Sequence, residues 1–147
     1  MLLTNLTQRI HQNIPISQYY AFELMDWQAE TLIVSAPLSG NNNDKGTFFA
    51  GSQVALCTLS GWALTTLLAE QTHEPNVDVV AVETAIRYVK PLESQATLRA
   101  VAKNMRQFQQ RFVSKKRAVL MLSVAIVNDQ GEITSEFTGR YFATQKG

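Results

Sequence analysis

The segment richest in chemistry runs Asn43-Asp44-Lys45-Gly46-Thr47-Phe48-Phe49-Ala50-Gly51-Ser52 and opens onto a long uncharged stretch. Gly46, Ala50 and Gly51 carry little or no side chain, so a ligand can approach the backbone closely there. A helix beginning at this point leaves its first N–H groups unpaired and partly positive. Such an end, with the amides near Gly51 and Ser52, holds a phosphate or a developing oxyanion. Asn43 adds a neutral amide donor, and Asp44 adds a carboxylate at the helix mouth. The same residues can serve structure alone. Gly46 and Gly51 then shape a tight loop, Asn43 or Thr47 caps the helix, and Asp44 is merely solvated. The spacing leaves both roles open.

Other reactive types in the chain point elsewhere. Cys57 is the single cysteine and lies in an apolar run, which suits a buried inert thiol and excludes a disulfide framework or thiolate zinc site. Ser52 has no Gly-x-Ser-x-Gly elbow around it, so a serine-hydrolase triad is unsupported. His11 and His73 fall in polar segments and are expected at the surface, and no cluster of metal ligands is visible. Trp62 is expected to pack against the sheet rather than hold a cofactor.

The elements that must position the loop follow from pattern. Leu3, Leu6 and Ile10 mark an amphipathic helix over 3–13 that Pro15 ends. Alternation predicts a strand over 17–27 and another over 31–36, with Pro37 after it. Residues 39–46 are loop by composition. Residues 54–69 carry no charge; they are too short to span a bilayer and are interrupted by Thr58, Ser60, Thr65 and Thr66. They are therefore expected to form a helix buried on nearly all sides, closed by residues 71–76. Strands follow over 77–90, 96–103, 118–127 and 133–143, with Asn128-Asp129-Gln130-Gly131 as a hairpin turn. Residues 105–114 are ambiguous, with a short helical excursion as one solution. One antiparallel sheet curled around one helix satisfies this order, so the expectation is a single α+β domain over 1–147.

Composition agrees. The 147 residues are one domain's worth, 46% are hydrophobic and only 17% are charged. The low charged fraction, below the roughly 25% usual for soluble domains, suggests that another subunit covers part of the surface. A net charge of +1 predicts neither a nucleic-acid nor a membrane partner from bulk electrostatics. The N-terminus has no signal-peptide apolar core, so a cytoplasmic location is the default expectation.

Asn-x-x-Gly-x-x-x-x-Gly at the start of an apolar helix, with a later strand Ala85-Ile86-Arg87-Tyr88-Val89-Lys90-Pro91, resembles the hotdog-fold thioesterase superfamily. The fuller string from Asn41 and Asn43 through Ser52, followed by Gly61-Trp62, resembles the thioesterase domain that also occurs fused behind some acetyltransferase domains. The resemblance implies a hotdog fold, a homodimer or dimer of dimers, and sites formed between subunits. It implies substrates carried on coenzyme A or acyl carrier protein, so that coenzyme A or phosphopantetheine enters as part of the substrate and no separate cofactor is needed. Gly46, Thr47 and Phe49 are then expected to line the substrate, with Asn43, Asp44, Gly51, Ser52 and Thr58 at the reacting carbonyl.

Two departures bear on the reaction. Relatives of the phenylacetyl-CoA type carry His-Gly-Gly where this chain has Phe49-Ala50-Gly51, and they place a carboxylate on the helix at the position matching Thr58. No Asp, Glu or His lies between Lys45 and Ala69. A hydroxyl such as that of Thr58 is a poor general base for water. Three activities therefore stay in view: acyl-thioester hydrolysis, decarboxylation of a malonyl thioester to support fatty acid synthesis, and acyl-thioester binding without catalysis. Decarboxylation needs no base, only donors for the enolate.

Seven of the thirteen Lys and Arg residues, Arg99, Lys103, Arg106, Arg111, Lys115, Lys116 and Arg117, cluster without an acid among them. They suit the phosphates of coenzyme A or an acidic carrier-protein face, with Lys115, Lys116 and Arg117 as substrate contacts. Phe108 and Phe112 interleave with the charges as base-stacking surfaces do, which offers nucleic acid as an alternative. A solvated strand face and loop is the plainer account.

Overall fold

A computed structural model of the chain describes residues 2–146. The elements are α1 (Leu2–Asn13), a 3-10 helix (Pro15–Tyr20), β1 (Glu23–Gln28), β2 (Thr31–Ala36), α2 (Ala50–Glu70), β3 (Val77–Tyr88), β4 (Ala96–Ala102), α3 (Met105–Lys115), β5 (Arg117–Val127) and β6 (Ile133–Gln145). The six strands form one sheet in the order β1-β2-β4-β5-β6-β3, and every neighbouring pair is antiparallel. The long helix lies in the hollow of that sheet. This is the hotdog arrangement the resemblance implies.

The period-2 alternation of the strands builds the hollow. Leu32, Val34 and Ala36 of β2, Leu98 and Ala100 of β4, Leu120, Leu122 and Val124 of β5, and Phe137 and Tyr141 of β6 are all buried in one core. Their neighbours in sequence face outward. Against this surface α2 buries Leu56, Leu59, Ala63, Leu64, Leu67 and Leu68. By length and apolarity α2 could cross a membrane, yet 78% of its most apolar window is buried inside the protein. Three of its hydroxyls are satisfied within the helix. Thr58, Ser60 and Thr65 each donate to the carbonyl four residues back, at 2.8, 2.8 and 2.7 Å. The buried Thr66 Oγ1 alone has no partner among the described side chains.

Three expectations are corrected by the structure. Residues 17–27 are not one strand, because Pro15 at the first helical position presets the backbone for a 3-10 turn through Tyr20. Ser17 is buried at its start, and Ala21 at φ 55° breaks the turn before β1. Phe108 and Phe112 are buried in α3, their rings 6.1 Å apart and stacked on each other. They are core residues and offer no surface to a nucleobase. Residues 105–114 do take the helical solution, as α3. His11 is half-buried, with Nδ1 3.0 Å from Ser17 Oγ and its ring against Phe22, rather than a free surface residue.

Side-chain hydrogen bonds fix α2 in the hollow. Gln53 Nε2 donates to the Phe48 carbonyl at 3.1 Å, and Ser135 Oγ donates to Gln53 Oε1 at 2.6 Å. Trp62 Nε1 donates to the Val79 carbonyl on β3 at 3.1 Å. Tyr141 Oη donates to the Thr58 carbonyl at 2.8 Å. At the far end Arg9 of α1 holds Glu70 through two bonds of 2.7 and 3.1 Å.

Candidate functional site

The loop before α2 is built around Asn43. Its Oδ1 accepts from the Lys45 and Thr47 amides at 2.9 and 3.1 Å, and its Nδ2 donates to Thr47 Oγ1 at 2.8 Å. The Asn43 amide in turn donates to the Thr47 carbonyl at 2.8 Å. This side chain therefore closes the loop on itself, the tying role that Asx residues perform in turns. Gly46 sits at φ 78°, in the left-handed region that favours glycine, and Thr47 completes the tie. Asp44 is exposed and pairs with Lys45 Nζ at 3.0 Å. It stands in solvent beside the mouth.

Beyond the tie the chain turns into α2. Phe49 is the N-cap in an extended conformation, and no side chain caps the helix. The Gln53 amide already bonds the Phe49 carbonyl at 3.1 Å. The amides of Ala50, Gly51 and Ser52 are thus the ones the first turn leaves for a ligand. Gly51 matters sterically, because a Cβ there would strike the Phe49 ring. The ring folds over the first turn yet remains 52% exposed, so it covers the mouth as a wall would rather than as a core residue. Ser52 is buried beneath. Tyr88, at the end of β3, donates its hydroxyl to the Ala50 carbonyl at 3.0 Å. Burial raises its pKa, so the phenol stays protonated as the bond requires.

Thr58 lies seven residues after Gly51, so it shares a face of α2 with the mouth about 10 Å further along the axis. It is half-buried, and it lines a cleft of about 490 Å³ between α2 and β3 together with Trp62, Val79, Val80 and Tyr141. Its hydroxyl proton is directed to the Val54 carbonyl. Cys57 beside it is fully buried, and desolvation holds its thiol well above the ordinary value. A thiolate nucleophile is excluded there at neutral pH.

The structure brings Asn43, Gly46, Thr47, Phe49, Gly51 and Ser52 together at the mouth. It does not bring Lys115, Lys116 and Arg117 to the same place within one protomer. They lie at the C-terminal end of α3 and the start of β5, and α3 packs on the C-terminal end of α2 through Gln109 Nε2 and the Leu68 carbonyl at 2.9 Å. A 21-residue helix is about 30 Å long, which is the separation along the axis. Lys116 is partly neutralised by Glu74 at 2.7 Å, whereas Lys115 is exposed.

Sequence reasoning missed Gln53, Tyr88 and Tyr141, which set the helix, its mouth and the carbonyl of Thr58. Gln53 carried a signal, being the one amide side chain inside an apolar run. Tyr88 and Tyr141 carried none, since only the sheet brings them to α2.

The pattern of the family described as "Putative thioesterase (yiiD_Cterm)" matches residues 3–145. Among solved structures, the putative thioesterase from Shewanella oneidensis is 29% identical with a TM-score of 0.84, over 99% of this chain and 98% of that one. A protein of unknown function from Chlorobaculum tepidum TLS is 26% identical with a TM-score of 0.87, over 99% and 95%. A hypothetical thioesterase from Streptococcus pneumoniae TIGR4, solved with coenzyme A, shares the fold at 18% identity and a TM-score of 0.64, over 86% and 91%.

Proposed function

Because this chain belongs to the family described as "Putative thioesterase (yiiD_Cterm)", we propose that it hydrolyses acyl thioesters of coenzyme A or acyl carrier protein at the mouth of α2. The observation that carries the reading is the uncapped first turn at Ala50, Gly51 and Ser52, preceded by the Asn43–Thr47 tie and overlain by the half-exposed Phe49 ring. Amides aimed at a thioester carbonyl stabilise the oxyanion in the water-poor space beside an aromatic wall. Asp44, the one carboxylate in the loop, takes the proton from the attacking water, and the Thr58 cleft that faces the mouth across the dimer orients the acyl group. The structural relative solved with coenzyme A supports a coenzyme A thioester as the first substrate to try. A cytoplasmic location goes with this reading.

The working unit in this reading is a homodimer, which two such units can extend to a dimer of dimers. β3 is a sheet edge of twelve residues with Val80, Val82 and Tyr88 exposed, a surface that isolated proteins blunt or cover. A second copy added antiparallel along β3 sets the Tyr88 end of one strand beside the Val80 end of the other. The mouth of one protomer then faces the Thr58 cleft of its partner. In this reading the Lys115–Arg117 segment across the dimer supplies contacts to phosphates or to an acidic carrier.

Decarboxylation of a malonyl thioester is the second reading. It is favoured by the absence of Asp, Glu and His between Lys45 and Ala69, since carbon dioxide loss leaves its own electron pair and needs only donors for the enolate. Incubation with acyl and malonyl thioesters tests both. Release of free thiol supports hydrolysis, and carbon dioxide with an intact acetyl thioester supports decarboxylation. Binding with neither product leaves a non-catalytic acyl-thioester module.

A further inference from the structure

On the face of the sheet turned away from α2, three arginines from three elements converge. Arg111 of α3, Arg117 of β5 and Arg140 of β6 line one cleft of about 480 Å³, floored by Val119, Met121 and Phe142. No carboxylate lines it. Arg111 and Arg117 make no ion pair among the described residues, in contrast to Arg9 and Lys116, which are both paired. Arg140 reaches only Glu83, at 3.7 Å with both side chains more than half exposed, a contact worth little in water. An adjoining cleft of about 300 Å³ shares Met121 and Arg140 and adds Lys103 together with the carboxylate of Glu83, so the unopposed cations are those of the first cleft. Like charges gathered in a concavity repel one another unless an anion joins them, and guanidinium groups match phosphate oxygens in pairs.

We infer that this cleft is a binding site for a nucleotide carrying two or more phosphates. The volume lies in the range of small-ligand sites rather than of a flat protein interface. The Val119–Met121–Phe142 floor gives an apolar bed for a base beside the cationic rim. The site stands on the opposite face of the sheet from the thioester mouth; its coenzyme A source rests on the activity proposed above, and its free-nucleotide source goes beyond it. Two sources share this chemistry, a free nucleoside polyphosphate and the phosphorylated ADP end of coenzyme A.

Calorimetric titration of the whole protein at low salt with ATP, 3′,5′-ADP, inorganic pyrophosphate and adenosine tests the inference. The phosphorylated probes should bind and adenosine should not. The double variant Arg111→Gln/Arg140→Gln should weaken binding about tenfold or more, since each lost guanidinium removes a charge-assisted contact. The exposure of both residues should keep its thermal unfolding close to wild type. No heat from any phosphate probe, or equal affinity in the double variant, overturns the proposal. KM values then name the source. A rise for a coenzyme A thioester without a rise for the matching pantetheine thioester identifies the substrate's own nucleotide. Unchanged KM for both, with ATP still bound, identifies a free nucleotide. The titration contains no thioester, so its failure leaves the reading of the mouth untouched.

Discussion

The Tyr141 ring lies directly against Gly61, and its hydroxyl donates to the Thr58 carbonyl at 2.8 Å. A Cβ at Gly61 would collide with the ring and the hydroxyl, and one at Gly139 would collide with the same ring from the strand. Two glycines, one on α2 and one on β6, thus make the slot through which the sheet grips the helix beside the Thr58 cleft.

Gly61→Ala should destabilise the protein by about 1–3 kcal/mol, the usual cost of forcing volume into a packed core. Denaturant unfolding measures it. Adding Tyr141→Leu should recover part of that loss by vacating the slot. A Gly61→Ala protein as stable as wild type would refute the clasp.

Gln53→Leu removes both bonds of the buried amide and strands the Ser135 hydroxyl and the Phe48 carbonyl. Each buried polar group left unpaired costs about 1–3 kcal/mol. The larger effect should be on kcat, because Phe48 leads into the mouth. Intact turnover in the folded variant would separate the loop from the chemistry.

Burial pushes the Cys57 thiol and the Tyr141 phenol above their ordinary values of 9.0 and 10.0, with the Cys57 charge adding to the effect on Tyr141. The unfolded chain therefore releases these protons at lower pH than the folded one. Their contribution is fully present below pH 9.0 and is lost as pH rises through 9.0 and then 10.0. Above each onset the slope approaches about 1.4 kcal/mol per pH unit per group. Unfolding free energies of wild type and Cys57→Ala between pH 7 and 11 check this, and the variant should begin to fall only near 10.0.

A site shared across a β3–β3 dimer predicts complementation. Gly51→Val blocks a mouth, and Thr58→Leu fills a cleft. Each alone should be inactive, while refolding the two together in equal amounts should restore about a quarter of wild-type activity, because half the dimers are mixed and each carries one intact site. A mixture no more active than either parent would place the whole site within one protomer.

Much of the architecture was legible before the structure. The uncharged run after Val54 demanded a helix buried on all sides, and only a curled sheet supplies that. The loop before the helix was legible as a loop, but its glycines and Asx residue left a structural and a binding role equally open. Pattern failed where two structures share one signature. The alternation at Ser17–Tyr20 reads as strand, yet Pro15 commits the backbone to a 3-10 turn. The basic run read as one surface, but α3 inserts Phe108 and Phe112 into the core. Arg140 joins Arg111 and Arg117 only through the β5–β6 register, and Tyr141 meets Gly61 only through the fold. Such meetings have no local signal.

The position of α2 in the chain also sets a problem of timing. Only β1 and β2 precede it, while the four strands that complete its wrapping are made afterwards. During synthesis a helix apolar enough for a bilayer emerges with most of its sheath still to be translated. Chains interrupted near Glu70 would leave the ribosome exposing that helix, which makes them targets for chaperones or stray insertion into lipid rather than usable fragments.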